Sequence, residues 1–277
     1  MERLKTEADK ISFVTQCVGK NFSLLHLGAF IQSLLDAYKD NFNLYLQVSD
    51  INNQEEFLKK ISNKVKNLTL IKAKNSQIKD DCEENRNPWA RILECWTPAI
   101  DSMETGSKVV LIDCDTVLLK PIDHFFKKDF DLGFTFYKNH TTPYGDVSFT
   151  NKKRNRVNCG VMLCRASSQS KNFFRKFASI TREFVEEENP LNGEFLAPDQ
   201  DAFMWILSNE GQDWKQPYSN KFDLDGDLIR RGFNSLKVKP FTCRELNEPE
   251  SIGKIHEKNH IIHIKRGWRT ILTKLMK

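Results

Sequence analysis

No uncharged stretch of this chain approaches the roughly 18 residues that a bilayer-crossing helix needs, so no integral membrane segment is expected. The opening MERLKTEADK is charged and leads into only a short apolar stretch, without the apolar core of a signal peptide. No Cys-x-x-Cys pair and no His-rich tract offers zinc-ligand spacing, which removes support for a structural zinc site. The seven cysteines (Cys17, Cys82, Cys95, Cys114, Cys159, Cys164 and Cys243) are odd in number, and four lie in apolar runs where they read as small core residues. That usage fits a reducing compartment, and a soluble cytoplasmic protein is the expectation; the Asn-x-Ser/Thr triplets at Asn21, Asn67 and Asn139 then read as chance. A large excess of one sign of charge is missing too. The 42 Lys and Arg exceed the 37 Asp and Glu by five, which suits anionic ligands but falls short of the basic face of a nucleic-acid binder. No internal repeat and no linker-like segment divides the 277 residues, so one domain over 1–277 is expected, with a substantial core.

What is present alternates. Ile11 to Val18 reads as a strand, Ser23 as the cap of a helix carrying Leu24, Leu27, Ile31, Leu34, Leu35 and Tyr38, and Asn43 to Val48 as a second strand. A helix over Glu55 to Val65 and a strand over Leu68 to Ala73 continue a βαβ pattern, which implies parallel strands. Beyond a polar loop, Pro88 opens a helix with Ile92, Leu93, Trp96 and Ile100, which Pro98 is expected to bend or end. Lys108 to Leu119 (KVVLIDCDTVLL) reads as one strand buried on both faces. The second half brings strands over Asp131 to Tyr137 and Val157 to Cys164. A helix with Phe173, Phe177, Ile180 and Phe184 on one face follows, then a helix from near Pro198, and a last strand over His260 to Ile264. The basic run Lys152 to Arg156 reads as a solvated loop, and Ile271, Leu272, Leu275 and Met276 as the apolar side of a core-packing final helix.

Asp113 and Asp115 fall near the carboxyl end of an apolar strand, where open parallel sheets bind their ligands. Two carboxylates one residue apart can share a hard cation such as Mg²⁺ or Mn²⁺ if the strand breaks there. Two other readings of these residues are open. They could be solvated acids in a turn, or Asp113 could be the nucleophile of a haloacid-dehalogenase-type phosphatase, whose first motif Asp113-Cys-Asp115-Thr116 also resembles. Phe222 to Leu228 (FDLDGDL) resembles that motif as well, but a polar segment precedes it where the phosphatase has a strand, and it reads as a turn at Gly226.

Further segments join the acid pair in a pattern that runs along nearly the whole chain. Trp89-Ala-Arg91-Ile92 stands one helix ahead of the acids, while Asn158-Cys-Gly160-Val161-Met162, Asp199-Gln200-Asp201 and His263 follow them in order. In this order the segments resemble the GT-A glycosyltransferases of the glycogenin and bacterial galactosyltransferase family. The resemblance implies an α/β fold in a single GT-A domain with a Rossmann-like, mostly parallel central sheet. Its donor-nucleotide half would be about 1–120, and its sugar and acceptor half about 121–277.

The resemblance also implies an activity: transfer of a sugar from a nucleotide-diphosphate donor, UDP-sugar favoured, to a glycan, lipid or protein acceptor, with retained configuration. It implies Mn²⁺ or Mg²⁺ held by Asp113, Asp115 and His263. Thr15, Arg91, Asn158, Lys265 and Arg269 would serve the nucleotide sugar, while Asp199 and Gln200 would face its reactive carbon. Whether Gln200 attacks or only orients stays open. His263-Ile-Lys-Arg-Gly267-Trp-Arg269 departs from the family's His-x-x-Gly-x-x-Lys-Pro-Trp: Gly comes one place late and Arg269 occupies the Lys position. A non-catalytic sugar-nucleotide binder is the alternative that keeps the same residues.

Overall fold

A computed structural model of the chain describes residues 10–18, 24–49, 54–71, 87–136, 157–186, 198–207, 230–231, 235–249 and 257–263. Strand β1 (Ile11–Val18), helix α1 (Leu24–Tyr38), β2 (Phe42–Ser49), α2 (Gln54–Lys64) and β3 (Leu68–Leu70) form the expected alternation. Helix α3 (Asn87–Ser102) runs through Pro98 to Ser102, so the proline does not end it.

The apolar run Lys108 to Leu119 is not one strand. It divides into β4 (Lys108–Ile112) and β5 (Thr116–Leu118), which belong to different sheets. The chain then passes a short helical turn at Asp123–Lys127 into β6 (Leu132–Phe136), β7 (Val157–Arg165), α4 (Ser168–Glu186) and α5 (Pro198–Leu207). Short elements complete the described residues: β8 (Arg230–Arg231), β9 (Lys237–Thr242), α6 (Cys243–Leu246), β10 (Glu248–Pro249) and β11 (Ile261–His263).

The main sheet has the order β3-β2-β1-β4-β7-β6-β9-β8, and a second sheet has the order β10-β11-β5. In the main sheet only β7 and β8 run against the other strands, so it is mostly parallel. Helices cover both faces, as parallel strands buried on two sides require. The period-two alternation of strands decides which face each residue serves. Ile11, Phe13 and Cys17 of β1 join Leu27, Phe30 and Leu34 of α1 on one side, while Val14 joins Cys95, Trp96 and Ala99 of α3 on the other.

The second face is built from phenylalanines. The ring of Phe203, on α5, lies 5.1 Å from Phe134, 5.6 Å from Phe173 and 5.6 Å from Phe177, and it is fully buried. Edge-to-face and tilted ring pairs of this kind add to what area burial gives. Phe203→Ala is therefore expected to destabilise the chain by about 3–5 kcal/mol, read as a fall in the urea midpoint at constant slope. A change under 1 kcal/mol would mean that α5 is not docked through this ring.

The break after β4 has a local cause. The Thr116 hydroxyl donates to the Asp113 carbonyl at 2.7 Å, turning the chain back on itself. Helix α1 then receives the departing backbone: the Leu118 N–H donates to the Ser33 hydroxyl at 3.0 Å, and the Ile122 N–H to the Tyr38 hydroxyl at 2.7 Å. Asp113 and Asp115 thus lie in the connection between two sheets, at the carboxyl end of β4.

Candidate active site

Three strands place the ligating groups. The Asp113 N–H donates to the Gly160 carbonyl at 2.9 Å, so the first acid is tied to β7 at the point where β4 ends. Cys114 turns into the apolar core. The Cys17 thiol beside it, together with burial, pushes the Cys114 thiol well above the ordinary range, and it stays protonated rather than ligating. The two acids on either side of it are only partly buried.

β11 runs antiparallel to β5 with His263 opposite Thr116, and parallel to β10 with His263 opposite Pro249. That register carries the imidazole to the acids. His263 Nε2 lies 2.9 Å from Asp115 Oδ1 and 3.7 Å from Asp113 Oδ2, and one ligand atom of each residue lies within 4.8 Å of the others. Among the described residues this is the only such grouping of three His, Cys, Asp or Glu side chains.

The proton on His263 can be located from its neighbours. The Thr135 hydroxyl donates to the Asn158 carbonyl at 2.7 Å, so toward Asn247 it can only accept, and Asn247 Nδ2 donates to it at 3.2 Å. The other end of that amide, Oδ1, faces His263 Nδ1 at 3.0 Å. An amide oxygen only accepts, so Nδ1 carries a hydrogen, and in the neutral ring Nε2 then presents its lone pair to the two carboxylates. Three acceptors converging this closely, with a neutral partner holding the histidine tautomer, suit a divalent cation; without positive charge between them they repel. The residues fit the metal that the sequence implied.

Gly160 leaves the room for it. A Cβ there would stand 2.8 Å from Asp113 Oδ2, 2.9 Å from His263 Cε1 and 3.0 Å from Asn158 Oδ1. The absent methyl is what lets β7 pass close beneath Asp113 and His263. A register irregularity between Phe134 and Thr135 takes β6 from pairing with Met162 to pairing with Asn158, and the Thr135 hydroxyl reaches into it. Asn158 Oδ1 accepts the Gly160 N–H at 2.8 Å, so the asparagine is fixed beside the acids.

The other expected residues are distributed as follows. Asp199, almost fully buried, and the half-buried Gln200 open α5 directly after Pro198, in a first turn where acidic side chains are favoured. Thr15 is fully buried in β1, three residues short of the strand's end, with no hydrogen-bond partner for its hydroxyl among the described residues. Arg91 belongs to α3, but its side chain, like all of Lys265, Arg269, the Lys152 to Arg156 run, the Phe222 to Leu228 segment and Ile271 to Met276, lies outside the described residues. Thr135 and Asn247 were not foreseen. Neither belongs to a motif that the sequence singles out, and only the fold brings them to His263 and Asn158.

Residues 98–259 match the family model of the nucleotide-diphospho-sugar transferases. No curated relative matches the sequence. Among solved structures, the chain is similar to the galactosyltransferase LgtC in complex with donor and acceptor sugar analogues, at 13% identity over 93% of this chain and 87% of that one, with a TM-score of 0.54. It is also similar to a glycosyltransferase involved in glycosylation of the major capsid of PBCV-1, at 11% identity over 96% of this chain and 98% of that one, with a TM-score of 0.51. At these identities the likeness is one of fold.

Proposed function

This chain belongs to the nucleotide-diphospho-sugar transferase family and is a glycosyltransferase of GT-A fold, and from that premise we propose that it works with a divalent cation held by Asp113, Asp115 and His263. The observation that carries the proposal is His263 Nε2 standing 2.9 Å from Asp115 Oδ1, beside a second carboxylate and over Gly160. Mn²⁺ is the favoured ion, with Mg²⁺ the alternative, since carboxylate ligands suit either and the imidazole favours the former. Bound there, the cation would neutralise the charge that develops on a departing diphosphate as the sugar carbon gains oxocarbenium character.

The protein's own residues would do the rest. Asp199 and Gln200 open α5 and would orient the donor sugar, with Asn158 and Arg91 as further contacts and Thr15 in the strand beneath the nucleotide. Lys265 and Arg269 would hold phosphate oxygens, as cations near the end of the chain can. We favour a UDP-sugar as donor, retained configuration at the transferred carbon, and a glycan, lipid or protein as acceptor, with no part for nucleic acid. No helix among the described residues is long and apolar enough to cross a membrane.

The test is a thermal-shift screen of UDP- and GDP-sugars with and without Mn²⁺. A donor at a hundred times its dissociation constant stabilises by about 2.7 kcal/mol, which is expected to raise the melting temperature by roughly 5 °C or more, and only when Mn²⁺ is present. No shift with any sugar nucleotide would sink the reading. Metal-dependent binding with no donor consumed would make the chain a non-catalytic binder, and nucleotide-free cleavage of p-nitrophenyl phosphate through Asp113 would restore the phosphatase alternative.

A further inference from the structure

We propose that Asn247 is a positioning residue that sets the metal-ready tautomer of His263, with Thr135 as the anchor that sets Asn247 in turn. The proposal rests on the reading of Asp113, Asp115 and His263 as a cation site. Its own ground is a directed chain of hydrogen bonds: Thr135 to the Asn158 carbonyl at 2.7 Å, Asn247 Nδ2 to Thr135 at 3.2 Å, and His263 Nδ1 to Asn247 Oδ1 at 3.0 Å.

The direction of each bond is forced by the one before it. The Thr135 hydroxyl has a single hydrogen, and the Asn158 carbonyl takes it; the amide is oriented by what remains, and the imidazole by the amide. Thr135 and Asn247 are fully buried, and Asn158 and His263 nearly so, so water has little access to substitute for any of them. If the amide oxygen were absent, His263 could place its hydrogen on Nε2 and donate it to Asp115 Oδ1, 2.9 Å away. That bond would occupy two of the three ligands at once. Asn247 acts by keeping the hydrogen on the far side of the ring.

Backbone geometry supports the same role. Asn247 stands at the end of α6 and immediately before β10, whose Pro249 pairs with His263 in β11, so amide and imidazole are delivered by adjacent strands of the small sheet. Thr135 reaches the pair from the main sheet, at the irregularity that also displays Asn158 and Gly160. The chain of bonds therefore links both sheets at the place where they meet the acids.

Mn²⁺ itself is the probe, with binding to the full chain read by electron paramagnetic resonance of the free ion. Asn247→Leu is expected to weaken Mn²⁺ binding about 10–100-fold, as loss of an outer partner of a metal-bound histidine does. Asn247→Asp, which still accepts from Nδ1 but no longer donates to Thr135, is expected to bind Mn²⁺ more tightly than Asn247→Leu. In a His263→Ala background, Asn247→Leu is expected to cost no further affinity, an outcome that a merely structural role would not give. Thr135→Val, nearly the same shape, is expected to fold and to bind Mn²⁺ more weakly than wild type, which keeps the test alive should Asn247→Leu not fold. Wild-type affinity in Asn247→Leu, or additive losses in the double variant, would overturn the role of Asn247. A wild-type chain that binds no Mn²⁺ would overturn the cation-site reading beneath it.

Discussion

Asp115→Asn is expected to lower sugar transfer about a thousandfold while the chain stays folded. A bound cation contributes several kcal/mol of stabilisation to charge developing in the transition state, and about 4 kcal/mol corresponds to a thousandfold in rate. The substitution removes more than one ligand's worth of that. Its new amide nitrogen, placed where Asp115 Oδ1 lies 2.9 Å from His263 Nε2, would donate a hydrogen to the neutral ring there, so the cation would lose the imidazole along with the carboxylate. Stability should move the other way. In EDTA, Asp113 and Asp115 are like charges in partly buried positions, and neutralising one is expected to leave the melting temperature unchanged or raise it. The measurement pairs nucleotide release from the sugar nucleotide that shows a Mn²⁺-dependent melting shift with a melting curve in EDTA. Activity within tenfold of wild type would show that the cluster is not where the diphosphate is neutralised.

The acids were legible in the sequence because they conflict with their surroundings. A Val-Val-Leu-Ile run leading into Asp113 puts charge where packing alone would put apolar groups, and such a conflict marks a functional position. β1 was readable to the residue for the opposite reason: Ile11 to Val18 is rich in β-forming residues, and Ile11 to Thr15 and Cys17 are buried. The division between β4 and β5 was not readable, because Val117 and Leu118 continue the apolar run and only the Thr116 hydroxyl, bonded back to Asp113, turns the chain. A pattern of apolarity does not register one hydrogen bond. Of the two outcomes expected at Pro98, a bend or an end, the end does not occur, since a proline's cost is local and the burial of Trp96, Ala99 and Ile100 on both sides of it outweighs that cost.

The supporting residues were out of reach for a further reason. Asn247 and Thr135 are 112 positions apart, and neither has a local signature, because their roles are defined by which hydrogen is already spoken for. His263 itself was identified by order along the chain, and geometry supplied what order could not: its tautomer. The site was thus legible in its charged members and silent in its neutral ones. This is expected where charges are costly enough to leave a pattern and amides and hydroxyls are not.

Gly160 gives the other large effect, and Gly133 provides its control. Each would gain one methyl group as alanine. At Gly133 the new Cβ would stand 2.6 Å from Phe241 Cε2 and 3.3 Å from Leu163 Cβ, inside the core, where overpacking costs about 1–3 kcal/mol of stability. At Gly160 the three crowded atoms belong instead to the ligand cluster, on Asp113, His263 and Asn158, and the partly exposed Asp113 carboxylate is the one that can move aside. Gly160→Ala is therefore expected to keep most of its stability and lose the site. Displacing ligands by a few tenths of an ångström or more spoils a geometry that preorganised charge stabilisation depends on, and a loss of about a hundredfold or more in both Mn²⁺ affinity and transfer is expected. Gly133→Ala should show the reverse, with a lower urea midpoint and Mn²⁺ affinity unchanged per folded molecule. If Gly160→Ala instead resembles Gly133→Ala, losing stability and keeping Mn²⁺, then β7 shifts as a unit under the methyl and the ligands do not depend on the space that Gly160 leaves.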